Sequence, residues 1–171
     1  GDGYRVESYA AEPSPPNAIN EKAIVDSQAV GDAVRRAVKR AGARSKDCAV
    51  AISGDAAITK VIQMPRNLRE GELEAQVEMQ ADQYIPFPME EVSYDFEVVG
   101  PSEKDPEMLD VLLVATRSEN VEQRQAAVAA AGLTARIVDV EAFALENACK
   151  LMTHQMPDGG IDRSVAVVDF G

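Results

Sequence analysis

Gln80-Ala81-Asp82-Gln83-Tyr84-Ile85-Pro86-Phe87-Pro88-Met89-Glu90-Glu91-Val92 is the stretch on which the rest of the chain turns, because a helix is stopped there and handed to a strand. Upstream, Leu73, Val77, Ala81 and Tyr84 recur at three- and four-residue spacing, which places them on one helix face. Glu74, Glu78 and Asp82 fall on another, solvated flank. Pro86 removes a backbone donor and pushes Ile85 out of the α region, so the helix cannot run on, and Pro88 repeats the stop. From Val92 the period becomes two: Val92, Tyr94, Phe96 and Val98 alternate with Ser93, Asp95 and Glu97, a strand with one buried face. On the residues alone this is a helix-to-strand connection.

Outward from this junction, helix and strand patterns alternate, which favours an α/β fold. Strands are predicted over 58–64, 92–99 and 109–115, the last two as a hairpin. A helix is predicted over 70–84, and another begins at a Ser118 cap and stops at Gly132, with Val121, Val128 and Ala131 among its buried positions. The order β-α-β-β-α becomes the ferredoxin-like β-α-β-β-α-β pattern if the apolar run 135–140 joins it. Alternatively, that run returns the chain to a first domain.

Nearer the start, residues 4–10 alternate weakly and read as a strand, and Glu12-Pro13-Ser14-Pro15-Pro16-Asn17 reads as an extended connector. Asp26 or Ser27 caps a helix whose stripe is Val30, Ala33, Val34, Ala37, Val38 and Ala41, and Gly42 ends it. The continuous apolar run 48–52 reads as a strand covered on both faces. Residues 141–152 read as a helix, and 165–168 as a short buried strand closing on Asp169-Phe170-Gly171. A last strand that ends abruptly in Asp-x-Gly reads as a domain cut off, and the chain as a fragment.

With 171 residues, 46% of them apolar, the chain can bury one core or two small ones. Its 17 basic and 29 acidic residues leave a net charge of −12, which argues against a nucleic-acid partner. The basic cluster Arg35, Arg36, Lys39 and Arg40 lies late in a helix, where it complements the negative helix end on a solvated face. Cys48 and Cys149 form no disulfide framework and fit a reducing compartment. No apolar run approaches the ~18 residues of a membrane span, and no signal-peptide pattern is visible, so the chain is expected to be cytoplasmic.

Chemical signatures are few. In Asp169-x-Gly171 the glycine lets a backbone approach phosphate and the Asp can hold hydrated metal, although the same pattern is also an ordinary turn. His154, the one histidine, has no metal or triad partners in sequence, and Cys48 has no nearby activating base. The acids are spread along helix flanks and loops, and paired carboxylates for hydrolysis cannot be picked out. No catalytic residue, no metal site and no enzyme activity are expected.

Asp82-Gln83-Tyr84-Ile85-Pro86-Phe87-Pro88, with Glu90-Glu91-Val92 and Asp95-Phe96 behind it, resembles the signature of the PilM family of type IV pilus assembly proteins. These are actin-like relatives of the cell-division protein FtsA, and the likeness extends across nearly the whole chain. The resemblance implies a partial actin-like (ribonuclease H-like) subdomain IA over residues 1–54 and 133–171. It also implies an inserted ferredoxin-like β-α-β-β-α subdomain IC over residues 55–132.

For cofactors, the resemblance implies ATP and Mg²⁺ in the intact protein and none for this fragment. Ile137-Val138-Asp139-Val140-Glu141-Ala142-Phe143-Ala144-Leu145 resembles the connecting helix of the actin superfamily, with Glu141 facing the terminal phosphate. Ala142 stands where many relatives carry proline. Asp169 and Gly171 correspond to the second phosphate loop, and nothing before Tyr4 supplies the first.

For partners, it implies that a groove between IA and IC takes the cytoplasmic tail of inner-membrane PilN. That contact would couple a cytoplasmic ring and other pilus assembly proteins to the membrane, with the protein peripheral at the inner membrane and a homo-oligomer as a further implication. Ile58, Lys60, Tyr84 and Ile85 are the groove candidates, with structural packing an open role for Tyr84 and Ile85. Two alternatives stand beside this reading: an FtsA- or GspL-type actin-like scaffold, and a stand-alone ferredoxin-like regulatory domain.

Overall fold

A tight hairpin precedes the first long helix. Strands β1 (Ile19–Asn20) and β2 (Ala23–Ile24) pair antiparallel in a computed structural model that describes residues 4–160 and 164–168. Glu21 and Lys22 turn the hairpin at φ 47° and 67°, the positive values a type I′ turn requires at both central positions. Helix α1 (Ser27–Ala41) follows, and Asp26 caps it by accepting the Ala29 N–H at 2.9 Å. Gly42 closes it at φ 69°, with its N–H turned back to Lys39 and Val38, as the sequence predicts.

The basic cluster at the end of α1 is engaged rather than simply solvated. Arg40 and Arg36 pair with Glu12 at 2.6 and 3.4 Å and so pin the proline-rich connector to the helix. Arg35 pairs with Asp32 at 2.7 Å and donates to the Ala130 carbonyl.

Strand β3 (Asp47–Ile52) leads through a short 3-10 turn at Gly54–Ala56 into a second layer. There β4 (Ile58–Pro65), β5 (Val92–Pro101) and β6 (Met108–Arg117) form an antiparallel sheet in the order β4-β6-β5, and helix α2 (Glu70–Tyr84), between β4 and β5 in sequence, packs on it. Ile62, Met64, Val111, Leu113 and Ala115 meet Val77, Ala81 and Ile85 in one core. Helix α2 stops at Tyr84 and Ile85 is extended at φ −96°, ψ 117°, as Pro86 demands. The buried stripe advances four residues at a time, through Leu73, Val77 and Ala81 to Ile85. Tyr84 therefore falls off it.

Helix α3 (Ser118–Ala130) then carries the chain back to α1 and packs closely on it around Gly31. Ser118 is the first helical residue rather than the cap, and its hydroxyl shares a 3.1 Å hydrogen bond with that of Ser93. Strand β7 (Thr134–Val140) pairs with β3, in parallel, and not with the three-stranded sheet. Of the two courses open to residues 135–140, the chain takes the return to its first layer. Helix α4 (Glu141–Met152) follows over the predicted span.

Three further sequence expectations fail. Residues 4–10 form no strand, and Tyr4, Val6 and Tyr9 are exposed. Residues 165–168 are neither buried nor a strand: Val165, Val167 and Val168 are exposed. Apolar alternation supplies only half of a strand, and neither segment has a ladder partner among the described residues. On β3 only Ile52 is buried, because β7 is its one neighbour in the described sheet. Among the described residues no helix is long and apolar enough to cross a membrane.

Candidate partner-binding cleft

The two layers are joined by two crossings, out from Ile52 to Ile58 and back from Arg117 into α3. Between the layers lies a cleft of about 220 Å³. Ile52 of β3 and Val138, Asp139 and Val140 of β7 line one side. Ser93, Tyr94 and Asp95 of β5 line the other, and Thr116 and Val121 close the end near the joint. The carboxyl ends of the parallel strands β3 and β7 open here, the position where α/β sheets gather ligands.

Its surface is apolar with a few directed polar groups. Asp95 accepts its neighbour Phe96 N–H at 2.8 Å, and Asp139 accepts the Val140 N–H at 2.7 Å, so each carboxylate is held in place by the next amide. Tyr94 borders the cleft, but its phenol lies toward α2, where burial raises its pKa and Glu78 and Glu74 raise it further, so the hydroxyl stays protonated near neutral pH. Strands β5 and β7 each pair on one side only among the described residues. Two free strand edges, an apolar floor and two oriented carboxylates suit an extended segment carrying apolar side chains and a basic group.

The groove candidates from the sequence do not converge. Ile85 is 5% exposed and belongs to the core of the second layer. Tyr84, 43% exposed, borders a separate, open depression of about 840 Å³ together with Val61, Gln63 and Gln80. Ile58 packs partly against the core and Lys60 is exposed on β4. None of the four lines the cleft between the layers. Glu141 is exposed at the first turn of α4, directly after cleft residue Val140, and Asp169 and Gly171 lie outside the described residues.

Sequence reasoning gives Tyr94, Asp95, Thr116 and Asp139 no site role, although Tyr94 and Asp95 stand in the strand alternation and Asp95 in the family signature. Asp139 stands in the quoted stretch before Glu141, but only the return of β7 beside β3 brings it opposite β5.

The pattern of the family described as type IV pilus assembly protein PilM matches residues 1–171. The chain belongs to the PilM family. It is also similar to a chain of a solved PilM-PilN type IV pilus biogenesis complex, at 29% identity and a TM-score of 0.77. The match covers 89% of this chain and 45% of that one, so this chain spans a little under half the length of that PilM-family relative. The shared features are the mixed α/β layers described above, over nearly all of the chain.

Proposed function

We propose that this chain is the partner-binding part of a cytoplasmic, actin-like scaffold of type IV pilus biogenesis. In this reading, residues 1–54 and 133–171 belong to subdomain IA, and residues 55–132 are the inserted subdomain IC, whose second helix, α3, packs back on α1. The cleft between them takes the N-terminal tail of inner-membrane PilN, and the protein thereby becomes peripheral at that membrane. The observation that carries the reading is the cleft itself, where apolar walls from both layers meet Asp95 and Asp139. The PilN present in the related solved complex supports the choice of partner.

The role is capture, not catalysis. A preformed groove binds an extended tail through strand edges and side-chain pockets. ATP with Mg²⁺ belongs, in this reading, to the intact protein. Glu141, exposed at a helix start, fits a carboxylate facing a hydrated metal, the arrangement Mg²⁺ prefers. Among the described residues one such group makes no phosphate cradle, and no ATP binding is expected of this chain alone.

Calorimetric titration of a PilN-type tail peptide into this chain and into the intact protein tests the reading. Micromolar binding to both supports a site within these residues. Binding to the intact protein alone moves part of the groove elsewhere, and binding to neither, with or without nucleotide, favours a division or secretion scaffold.

A further inference from the structure

A buried cation sits at the joint between the two layers. Arg124, on the apolar face of α3, is only 9% exposed. Its guanidinium donates to three backbone carbonyls: Nε to Ala51 at 2.7 Å, Nη1 to Asn120 at 3.2 Å and Nη2 to Lys22 at 3.4 Å. None of the ion pairs among the described residues includes it. Burial pushes its pKa down and Glu141 pushes it back up, but an arginine remains charged near neutral pH. A buried charge is costly unless its donors are engaged, so a cation kept here must satisfy its fork on those carbonyls.

The three acceptors belong to three elements. Ala51 precedes Ile52, which forms one wall of the cleft. Asn120 donates its side-chain amide to Thr116 Oγ1 at 3.0 Å, and Thr116 Oγ1 donates to the Ala56 carbonyl at 2.8 Å. Thr116 is cleft lining, and Ala56 lies in the outgoing crossing. Lys22 sits in the positive-φ turn of the first hairpin, and its ammonium meets Asp55 of the outgoing crossing at 3.6 Å. Arg124 thus bonds directly to β3, to its own helix and to the first hairpin, and the side chains of its acceptor residues Asn120 and Lys22 reach on to Thr116 and to Asp55 of the outgoing crossing.

We propose that Arg124 is a positioning residue that sets the opening of the cleft by clamping β3 and the first hairpin to α3 at the joint between the layers. The proposal rests on the cleft reading for its effect on peptide binding, but not for its effect on geometry. A planar fork is required, because a lysine carries the charge without reaching three carbonyls in fixed directions.

The test uses Arg124→Lys and Asn120→Ala in the intact protein. Asn120→Ala keeps the backbone carbonyl that accepts from Arg124 but severs the onward link to Thr116, and serves if the arginine variant folds poorly. Spin labels at cysteines introduced for Glu97 on β5 and Ile137 on β7, with Cys48 and Cys149 replaced by serine, report the distance across the joint. Both variants are expected to broaden that distance distribution and to weaken PilN-type peptide binding by about tenfold, while remaining folded at the assay temperature. Lower melting temperatures with an unchanged distribution and unchanged affinity would overturn the clamp. If the unaltered protein binds no peptide, the cleft reading fails, and the distance distribution alone still decides the clamp.

Discussion

Gly31 of α1 lies so close to α3 that a Cβ built on it would fall 2.5 Å from the Ala130 Cβ and 2.6 Å from the Ala127 carbonyl oxygen. Two effects oppose each other in Gly31→Ala. Helix propensity favours alanine by about 1 kcal/mol, whereas forcing a methyl into a filled contact costs about 1–3 kcal/mol. Backbone atoms on both sides cannot give way as a flexible side chain would, so overpacking wins. Urea unfolding is expected to show a net loss of up to roughly 2 kcal/mol. Gly71→Ala, where a Cβ on α2 meets nothing within 4 Å, provides the control and should be neutral or stabilising.

Tyr84 and Ile85 are neighbours with opposite roles. Ile85→Ala is expected to cost about 2–5 kcal/mol, since it empties a core position. Tyr84→Ala, at the rim of the open depression, should cost less than about 1.5 kcal/mol. Paired denaturant melts check this order, and a larger loss for Tyr84 would return it to the core.

The exposed pair Lys22–Asp55 gives a pH dependence with a definite sign. The Asp55 carboxyl is held below its ordinary range first by the Ser53 hydroxyl, which donates to it, and then by Lys22. A lowered pKa stabilises the fold above the ordinary aspartate range, and the contribution is lost as pH falls through the lowered value. Lys22→Gln should therefore melt slightly below the unaltered protein at pH 7, with the gap closing on acidification and in high salt. A gap that persists at low pH would assign the effect to the turn rather than to the pair.

What could be read in the sequence was local. The Pro86 stop, the Asp26 cap, the Gly42 stop, the hairpin of β5 and β6 and the span of α4 all rest on signals within a few residues of one another. The first hairpin was missed because Glu21-Lys22 lacks the Asn or Gly that usually marks such a turn. Tyr84 was misplaced because a three-residue step from Ala81 looked as good as the four-residue step to Ile85. The strands expected at 4–10 and 165–168 failed for want of distant pairing partners.

The cleft was least legible. Ile52, Tyr94, Thr116 and Asp139 come from four strands, and only the parallel return of β7 sets them face to face. Arg124 did leave a trace: it is the single basic residue of α3, three and four positions before the buried Ala127 and Val128. A lone cation on an apolar stripe points to a buried hydrogen-bonded role.

Binding in the cleft can be followed residue by residue. Amide chemical shifts of the isotope-labelled protein would be followed during titration with a PilN-type tail peptide. Binding in the cleft requires shifts centred on Ser93, Tyr94, Asp95 and residues 138–140, with Val61, Gln63 and Tyr84 unmoved. Shifts centred instead on Val61, Gln80 and Tyr84, with the cleft silent, would contradict it and move the partner to the open depression beside β4.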